Sequence, residues 1–380
     1  MSDDNELDFL EDTVEEKKEE KKEEKKEEKK EEKNKINFRP GAGLDIGTSN
    51  IVLSRQSVEG EFINRYHRDM LFQLDESDEA ADLIEKSGFL YLKSDNKFFV
   101  VGEDALKLAN ALGRDEIIRP MKDGLLNPEL KLSSEMLFFI IKAVLGEPTV
   151  ENESIRFSVP ANPLDSKSDN VFHELILNNF LKKLGFDPKS INEAQAMAYD
   201  CNPIVKSEEE GEMPLSGISM SFGAGMVNCC VLMSGINILQ FSITRSGDFI
   251  DESASRVTGI EKSQIIRIKE KDLDLEKVDM SNRALAALSI YYENALERVV
   301  SYISKKLNEE GTSIEGEVEV VIGGGTSLCN GFENLLRKVF EKFDFPFKIL
   351  RIRKSETPFY SVAQGCCIRA RADWEKRKKK

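Results

Sequence analysis

The stretch Leu44-Asp45-Ile46-Gly47-Thr48-Ser49-Asn50-Ile51 is the part of the sequence that decides the fold. An apolar run leads into an aspartate, and Gly47 then allows the backbone to turn sharply. The next three residues, Thr48, Ser49 and Asn50, offer amides and hydroxyls to a phosphate group. The carboxylate of Asp45 would lie beside that phosphate, where magnesium and its bound water need an acidic ligand. The stretch therefore predicts a phosphate-binding turn, with an ordinary hairpin turn as the alternative.

Two more glycine-rich turns occur later in the chain. In Val321-Ile322-Gly323-Gly324-Gly325-Thr326, three glycines after a strand-like run permit close backbone approach, which suits a flat base and its ribose. The alternative is a turn that only packs a helix on a strand. Ser221-Phe222-Gly223-Ala224-Gly225-Met226 has the form of a second phosphate hairpin, but no carboxylate leads it. The chain has no G-x-x-x-x-G-K-[ST] sequence, so these turns do not indicate a P-loop protein.

Apolar strand-type runs alternate with helical stretches along the folded body, which begins near Arg39-Pro40-Gly41. In stretches such as SSEMLFFIIKAVL, apolar residues recur at threes and fours, which is typical of helices. Strands interleaved with helices predict an α/β architecture. Because glycine-rich strand ends lie far apart, near residues 47 and 223, we expect two similar halves, each contributing one phosphate loop to a shared cleft.

The composition limits the kind of protein. The chain has 380 residues, enough for two domains of ordinary size. No apolar run approaches the roughly 18 residues of a membrane-spanning helix, and the N-terminus is acidic where a signal peptide would be basic. These features predict a cytoplasmic protein. The net charge of −15 argues against a nucleic-acid groove as its main function.

Both ends of the chain are strongly charged. Residues 1–14 are acidic, and residues 15–33 repeat the pattern EEKK, which places like charges at every i,i+4 pair. We expect residues 1–40 to form an arm that is a flickering helix or an extended spacer. The arm would either bind a protein partner or only keep the chain soluble. Residues 373–380 form a basic tail, expected to be frayed and solvated, with peripheral contact to anionic lipid as the alternative.

The ordered motifs resemble those of the actin, heat-shock chaperone and sugar-kinase superfamily, and more closely those of MreB-like bacterial actin homologues. Residues 45–50 are similar to the first phosphate motif, and residues 323–325 to the adenosine motif. The family's VG-x-x-A motif is matched by Val101-Gly102-Glu103-Asp104-Ala105, and its RP-x-x-DG motif by Arg119-Pro120-Met121-Lys122-Asp123-Gly124. Its VP turn is matched by Val159-Pro160 and its connecting-helix motif by Glu193-x-x-Ala196. Its GD-x-x-DE helix start is matched by Gly247-Asp248-Phe249-Ile250-Asp251-Glu252. The resemblance covers residues 41 to about 370.

The resemblance implies an actin-like fold, two similar α/β domains around a nucleotide cleft. Domain I would comprise residues 41–186 with about 357–372, and domain II residues 187–356. ATP, or GTP, with Mg²⁺ would bind in the cleft. Its implied ligands are the three glycine turns, with Ala224 and Thr326, the carboxylate of Glu193, and Asp45 holding the metal through water.

This sequence departs from the family pattern at three positions. Ser221 stands where the family has an aspartate that helps to hold magnesium. The family's E-x-x-K pair near the base is matched by Gln264-x-x-Arg267. Asp165 stands where MreB-like proteins have an acid that orients the attacking water, and capping of the following helix is its alternative role. Nucleotide binding is therefore expected, while the chain would be at most a weak ATPase.

Three functions follow from the resemblance. The first is a cytoskeletal protein that forms head-to-tail filaments for cell shape, organelle positioning or segregation. The second is an active ATPase or small-molecule kinase. The third is a non-hydrolysing scaffold that binds nucleotide and recruits partners through its N-terminal arm. We expect the protein in the cytoplasm, with the inner face of the membrane as the alternative location.

Overall fold

The computed structural model describes residues 37–114, 116–130, 132–167, 170–309, 314 and 316–379. The predictions for the acidic head and the EEKK repeat fall on residues 1–36, which lie outside the described residues. Within the described part of the chain, no helix is both long enough and apolar enough to cross a membrane.

The strands and helices alternate, as the sequence predicts. In chain order the strands are β1 (Phe38–Ile46), β2 (Asn50–Ser57), β3 (Phe62–Arg68), β4 (Leu71–Asp75), β5 (Tyr91–Ser94), β6 (Lys97–Val101), β7 (Ile117–Ile118), β8 (Met121–Lys122), β9 (Leu125–Leu126), β10 (Glu153–Val159), β11 (Phe186–Asn192), β12 (Ile204–Ser207), β13 (Gly211–Pro214), β14 (Gly217–Phe222), β15 (Val227–Met233), β16 (Ile236–Ile243), β17 (Glu317–Gly323) and β18 (Lys348–Lys354). The α-helices are α1 (Asp78–Ser87), α2 (Glu103–Leu112), α3 (Ser133–Leu145), α4 (Val171–Lys183), α5 (Glu193–Cys201), α6 (Gly247–Thr258), α7 (Lys262–Lys271), α8 (Arg283–Glu309), α9 (Phe332–Phe340) and α10 (Ser361–Lys378), with a 3-10 turn at Gly325–Leu328.

The first large sheet has the strand order β11-β10-β1-β2-β3. Strand β1 runs parallel to β10 and antiparallel to β2, so the hairpin β1–β2 ends at the same edge as β10. Strand β10 is buried along almost its whole length, as expected for a parallel strand covered on both faces. Its core joins Leu44 and Phe157 to Ile140 of α3 and Leu177 of α4. A smaller sheet, β5-β6-β4-β7, carries α1 and α2.

The second large sheet repeats this plan. Strand β14 runs parallel to β17 and antiparallel to β15, as β1 does to β10 and β2. Its core joins Ile218 and Phe222 to Val300 of α8 and Leu336 of α9. The two sheets confirm the predicted α/β class, and each places one glycine hairpin at the edge that faces the other half.

Helix α10 holds the first sheet to the second half of the chain. It packs closely against β1 because Gly43 has no side chain; a Cβ there would lie 2.1 Å from the Ala363 carbonyl oxygen. On its other side, Gly365 lies against the Ala196 backbone of α5. The basic tail begins inside this helix, since residues 373–378 are helical. Asp373 pairs there with Arg156 of β10 at 2.6 Å.

Candidate nucleotide-binding site

A cavity of about 680 Å³ lies between the two halves. Residues of both sheets and of the glycine turn after β17 line it. Of the residues predicted from the sequence to bind nucleotide, the structure brings the following together around this cavity: Asp45, Gly47, Thr48, Ser49, Asn50, Glu193, Ser221, Gly223, Ala224, Gly225, Gly324, Gly325 and Thr326. These residues come from four separate parts of the chain, so their convergence is a property of the fold.

The two predicted phosphate hairpins have the same backbone geometry. In the first, the Gly47 amide donates to the Asn50 carbonyl oxygen at 3.0 Å. In the second, the Gly223 amide donates to the Met226 carbonyl oxygen, also at 3.0 Å. A Cβ on either glycine would lie 3.0 Å from that acceptor, tighter than normal contact. Each turn therefore favours glycine at the same position.

The hairpins touch each other at Gly225. A Cβ there would lie 2.4 Å from the Thr48 hydroxyl oxygen and 2.6 Å from the Gly124 amide nitrogen. The Gly124 amide also donates to the Thr48 hydroxyl at 2.9 Å. The turn within the RP-x-x-DG motif thus holds the first hairpin against the second.

Two carboxylates lie on the floor of the cavity, one below each hairpin. Asp45 accepts from the Ser158 hydroxyl at 2.7 Å, and burial raises the pKa of this aspartate. Glu193, at the start of α5, lies 3.5 Å from the Ser221 hydroxyl. Burial, with the charge of Asp45 added, raises the pKa of Glu193. The pair is an acidic site that a cation would stabilise.

The second hairpin is fixed by hydroxyl groups. The Gly223 carbonyl oxygen accepts from Thr326 at 2.7 Å and from Ser246 at 2.5 Å. At the start of α6, the Asp248 amide donates to the Ala224 carbonyl oxygen at 2.8 Å. Thr326, predicted as a ligand of the base, therefore also positions the phosphate hairpin.

The glycine turn after β17 passes directly over the second hairpin. Gly324 has a φ of +88°, and a Cβ there would lie 2.4 Å from the Phe222 carbonyl oxygen. Leu273, Tyr292 and the segment 328–330 continue the cavity wall from this turn. This end of the cavity combines apolar groups with backbone, which suits a base and its ribose.

Four sequence-predicted residues do not line the cavity. Gly323 is buried; a Cβ there would lie 2.5 Å from the Met197 sulfur. Gln264 and Arg267 are exposed on α7. Asp165 accepts from the Thr244 amide at 2.9 Å, which fixes the segment after β10 to the end of β16. Helix α4 begins at Val171 with Asn170 in the preceding position, so that bond is not a helix cap.

Sequence reasoning missed several cavity residues. Arg68 and Tyr66, on one face of β3, line the opening, and the Tyr66 ring makes an edge contact with Phe359. Lys269 and Glu270 of α7 line the cavity two and three residues beyond the predicted Arg267. The basic-acidic sequence of α7 was the available signal, but only the helix direction shows which of its residues face inward.

Residues of two sequence motifs form an ion pair across the cleft. Arg119 of RP-x-x-DG donates to Asp248 of GD-x-x-DE at 2.8 Å, and both side chains are largely buried. Nearby, Asp69 is fully buried, and its backbone amide donates to the Ser49 carbonyl oxygen at 2.8 Å. Burial raises the pKa of Asp69 to about 8, against the opposing charge of Arg119.

Two matched hairpins, a third glycine turn and a cavity between two similar sheets define an actin-like protein. Three solved structures share this fold. The MamK double helical filament has a TM-score of 0.61 and 16% identity, covering 87% of this chain and 98% of that chain. MreB5 of Spiroplasma citri bound to AMPPNP has a TM-score of 0.62 and 14% identity, covering 90% of this chain and 98% of that chain. The ethanolamine utilization protein EutJ from Carboxydothermus hydrogenoformans has a TM-score of 0.52 and 13% identity, covering 88% of this chain and 91% of that chain.

The chain belongs to the family described as Volactin, whose profile matches residues 41–370. This range agrees with the extent of the actin-like resemblance seen in the sequence, and the predicted fold is confirmed. No curated protein sequence matches the chain significantly. Because the identities to the solved structures are 13–16%, those structures show the fold alone.

Proposed function

We propose that this protein binds a nucleoside triphosphate with Mg²⁺ in the cavity and assembles head to tail into cytoskeletal filaments. The observation that carries the proposal is the pair of hairpins that face one cavity, each closed by an equivalent glycine amide bond at 3.0 Å. Consecutive backbone amides in such turns form concave anion sites. A polyphosphate between them would touch both halves of the molecule.

The residues on the cavity floor fit a magnesium ion that is held largely through water. Asp45 and Glu193 supply two carboxylates, and burial raises the pKa of both. Within the described ranges, no group of three or more His, Cys, Asp or Glu side chains forms a direct metal site. Magnesium keeps several waters and commonly takes one or two carboxylates with substrate phosphates, which agrees with this set. When bound, the ion would neutralise charge on the phosphates.

Filament formation is supported by relatives of the fold. The MamK structure is described as a double helical filament, and MreB5 was solved with AMPPNP and with ADP. A heterologous contact that does not close generates an open filament. Nucleotide that binds the closed cleft more tightly than the open one would couple binding to assembly.

The direct test has two measurements. Nucleotide binding is measured by calorimetry with ATP and GTP, with and without Mg²⁺. Assembly is measured by ultracentrifugation of the protein with Mg-ATP, with Mg-ADP and without nucleotide, followed by electron microscopy of the pellets. We expect filaments that depend on nucleotide. A protein that binds no nucleotide, or stays monomeric under every condition, would contradict the proposal.

A second candidate is a non-hydrolysing scaffold that recruits a protein partner through the N-terminal arm. The observation that favours it is Ser221, which occupies the position below the second hairpin without a negative charge. Phosphate release no faster than that of an Asp45→Ala variant, together with soluble nucleotide-bound protein, would support the scaffold. Release well above that background would support a weak ATPase, with Asp165 as its proposed water-orienting acid. We place either form in the cytoplasm, with membrane contact by the basic tail as a further proposal.

A further inference from the structure

The cavity lining contains one cation whose partners are both exposed to solvent. Among the described residues, the charged side chains that line it are Asp45, Arg68, Glu193, Lys269 and Glu270. A nucleoside triphosphate brings about four negative charges at neutral pH, and the two carboxylates on the floor add to them. Some positive charge beyond the metal is therefore required, and only Arg68 and Lys269 can provide it from this lining.

Lys269 is committed to another partner. Its ammonium lies 2.6 Å from Asp251, and the two side chains are only 14% and 4% exposed. Moving Lys269 toward a ligand would leave the Asp251 carboxylate buried without its countercharge, which is strongly unfavourable. Lys269 therefore stays with Asp251 when a ligand binds.

Arg68, unlike Lys269, is paired with carboxylates that are exposed to solvent. Its own side chain is 18% exposed, but its partners Glu103 and Glu270 are 53% and 47% exposed. The nearest approach to Glu270 is 3.6 Å, longer than a good hydrogen bond, and this contact crosses the cavity from β3 to α7. An ion pair at 3.6 Å with a half-exposed carboxylate contributes little free energy, and a released Glu270 would be solvated by water at small cost.

The position of Arg68 places it beside the first phosphate hairpin. In the β2–β3 ladder Arg68 is the direct partner of Asn50, the last residue of that hairpin. Directly opposed residues have Cβ atoms about 5 Å apart and side chains on one face of the sheet. The guanidinium therefore reaches the same space as the hairpin amides, and its planar fork suits phosphate oxygens.

We propose that Arg68 is a phosphate-binding residue, whose guanidinium leaves Glu270 for the phosphate oxygens when a nucleoside polyphosphate enters the cavity. The inference rests on the proposed nucleotide binding and names a ligand that the sequence motifs do not include. Arg68 then shares with Mg²⁺ the neutralisation of the phosphates.

The test compares a nucleotide with its nucleoside. Calorimetry gives the Kd of ATP and adenosine, or of GTP and guanosine, for wild type and variants, and the ratio of nucleoside Kd to nucleotide Kd isolates the phosphate contribution. Arg68→Gln should lower this ratio roughly tenfold or more, the value of a charge-assisted hydrogen bond. Glu270→Gln removes the ion pair across the cavity and leaves the Arg68–Glu103 pair in place, so it should raise the ratio. Arg65→Gln removes the same charge from an exposed position on β3 and should leave the ratio unchanged.

The outcomes are separable. If Arg68→Gln and Glu270→Gln lower the ratio equally, the ion pair itself holds the two halves together and Arg68 is not a phosphate ligand. An unchanged ratio in Arg68→Gln also contradicts the assignment. If Arg68→Gln does not fold, Arg68→Lys carries the test, since it keeps the charge without the fork and should lower the ratio several-fold. Wild type that binds neither nucleotide would contradict the proposed function itself, whereas wild-type binding with an insensitive ratio contradicts only the role of Arg68.

Discussion

The two predicted phosphate hairpins have the same closing hydrogen bond and differ in the residues that support them. Each is closed by a glycine amide at 3.0 Å, and each precedes a strand of its own sheet. The first contains the carboxylate of Asp45, and the backbone amide of Asp69 donates to its Ser49 carbonyl oxygen at 2.8 Å. The second has Ser221 in place of Asp45 and is fixed by the hydroxyls of Ser246 and Thr326. The first hairpin therefore carries its own carboxylate, while the second has a neutral serine and relies on Glu193 for the charge below it.

The largest expected effect concerns Asp69. The pKa of a free aspartate is about 3.9, and burial raises that of Asp69 to about 8 in the folded protein. The folded state thus keeps a proton that the unfolded chain has lost, so this group makes stability fall as pH rises through that window. Asp69→Asn should remove up to about 1.4 kcal/mol per pH unit of this fall, measured by urea unfolding from pH 5 to pH 9.

The matched control for Asp69→Asn lies under the second hairpin. Thr326→Val removes the 2.7 Å bond to the Gly223 carbonyl oxygen without touching a titratable group. It should cost about 1 kcal/mol at every pH in the series. Equal pH slopes in wild type and Asp69→Asn would show that the first hairpin is no more sensitive to protons than the second.

The next effect tests the contact between the hairpins. Gly225→Ala places a Cβ 2.4 Å from the Thr48 hydroxyl oxygen, and the Gly124 backbone leaves it no room to move. Overpacking of this kind costs about 1–3 kcal/mol, which the free energy of unfolding measures. In Gly325→Ala the added Cβ meets nothing within 4 Å, so that variant should keep wild-type stability. If both alanines behave alike, the hairpins do not touch as described.

A third variant makes the hairpins alike. Ser221→Asp introduces a carboxylate beside Glu193, which already feels the charge of Asp45. Without a cation the free energy of unfolding should fall by about 1–2 kcal/mol, and Mg²⁺ with nucleotide should restore it. The midpoint of thermal unfolding is compared with and without Mg²⁺, and Ser221→Ala supplies the uncharged control. A magnesium effect no larger than that of wild type would mean that the serine does not explain the difference between the hairpins.

The contrast between the hairpins also shows what sequence reasoning can reach. Local patterns predicted both hairpins and the α/β class because glycine turns after apolar strands are short-range features. The fold was predictable since ordered motifs over 330 residues constrain it. Arg68 and Asp69 were not, because they lie on β3 and its continuation, away from any glycine turn. Strand pairing alone brings Arg68 to the cavity and Asp69 beneath Ser49. The same limit applies to α7, where helix direction exposes Gln264 and Arg267 and turns Lys269 inward.

The smallest effect comes from a pair of serines, one below each hairpin. Ser158 donates to Asp45 at 2.7 Å and also accepts from the Ile46 amide at 2.9 Å, so Ser158→Ala removes two bonds around one carboxylate. Ser221 lies 3.5 Å from Glu193, at the limit of hydrogen bonding. Ser158→Ala should therefore destabilise the protein by about 1 kcal/mol, and Ser221→Ala by a smaller amount near the error of urea unfolding. Losing its hydroxyl donor should also raise the pKa of Asp45 further, since that bond favours the charged form. If Ser221→Ala is instead the more damaging change, the second hairpin depends on its polar support as much as the first, and the difference between them lies in charge alone.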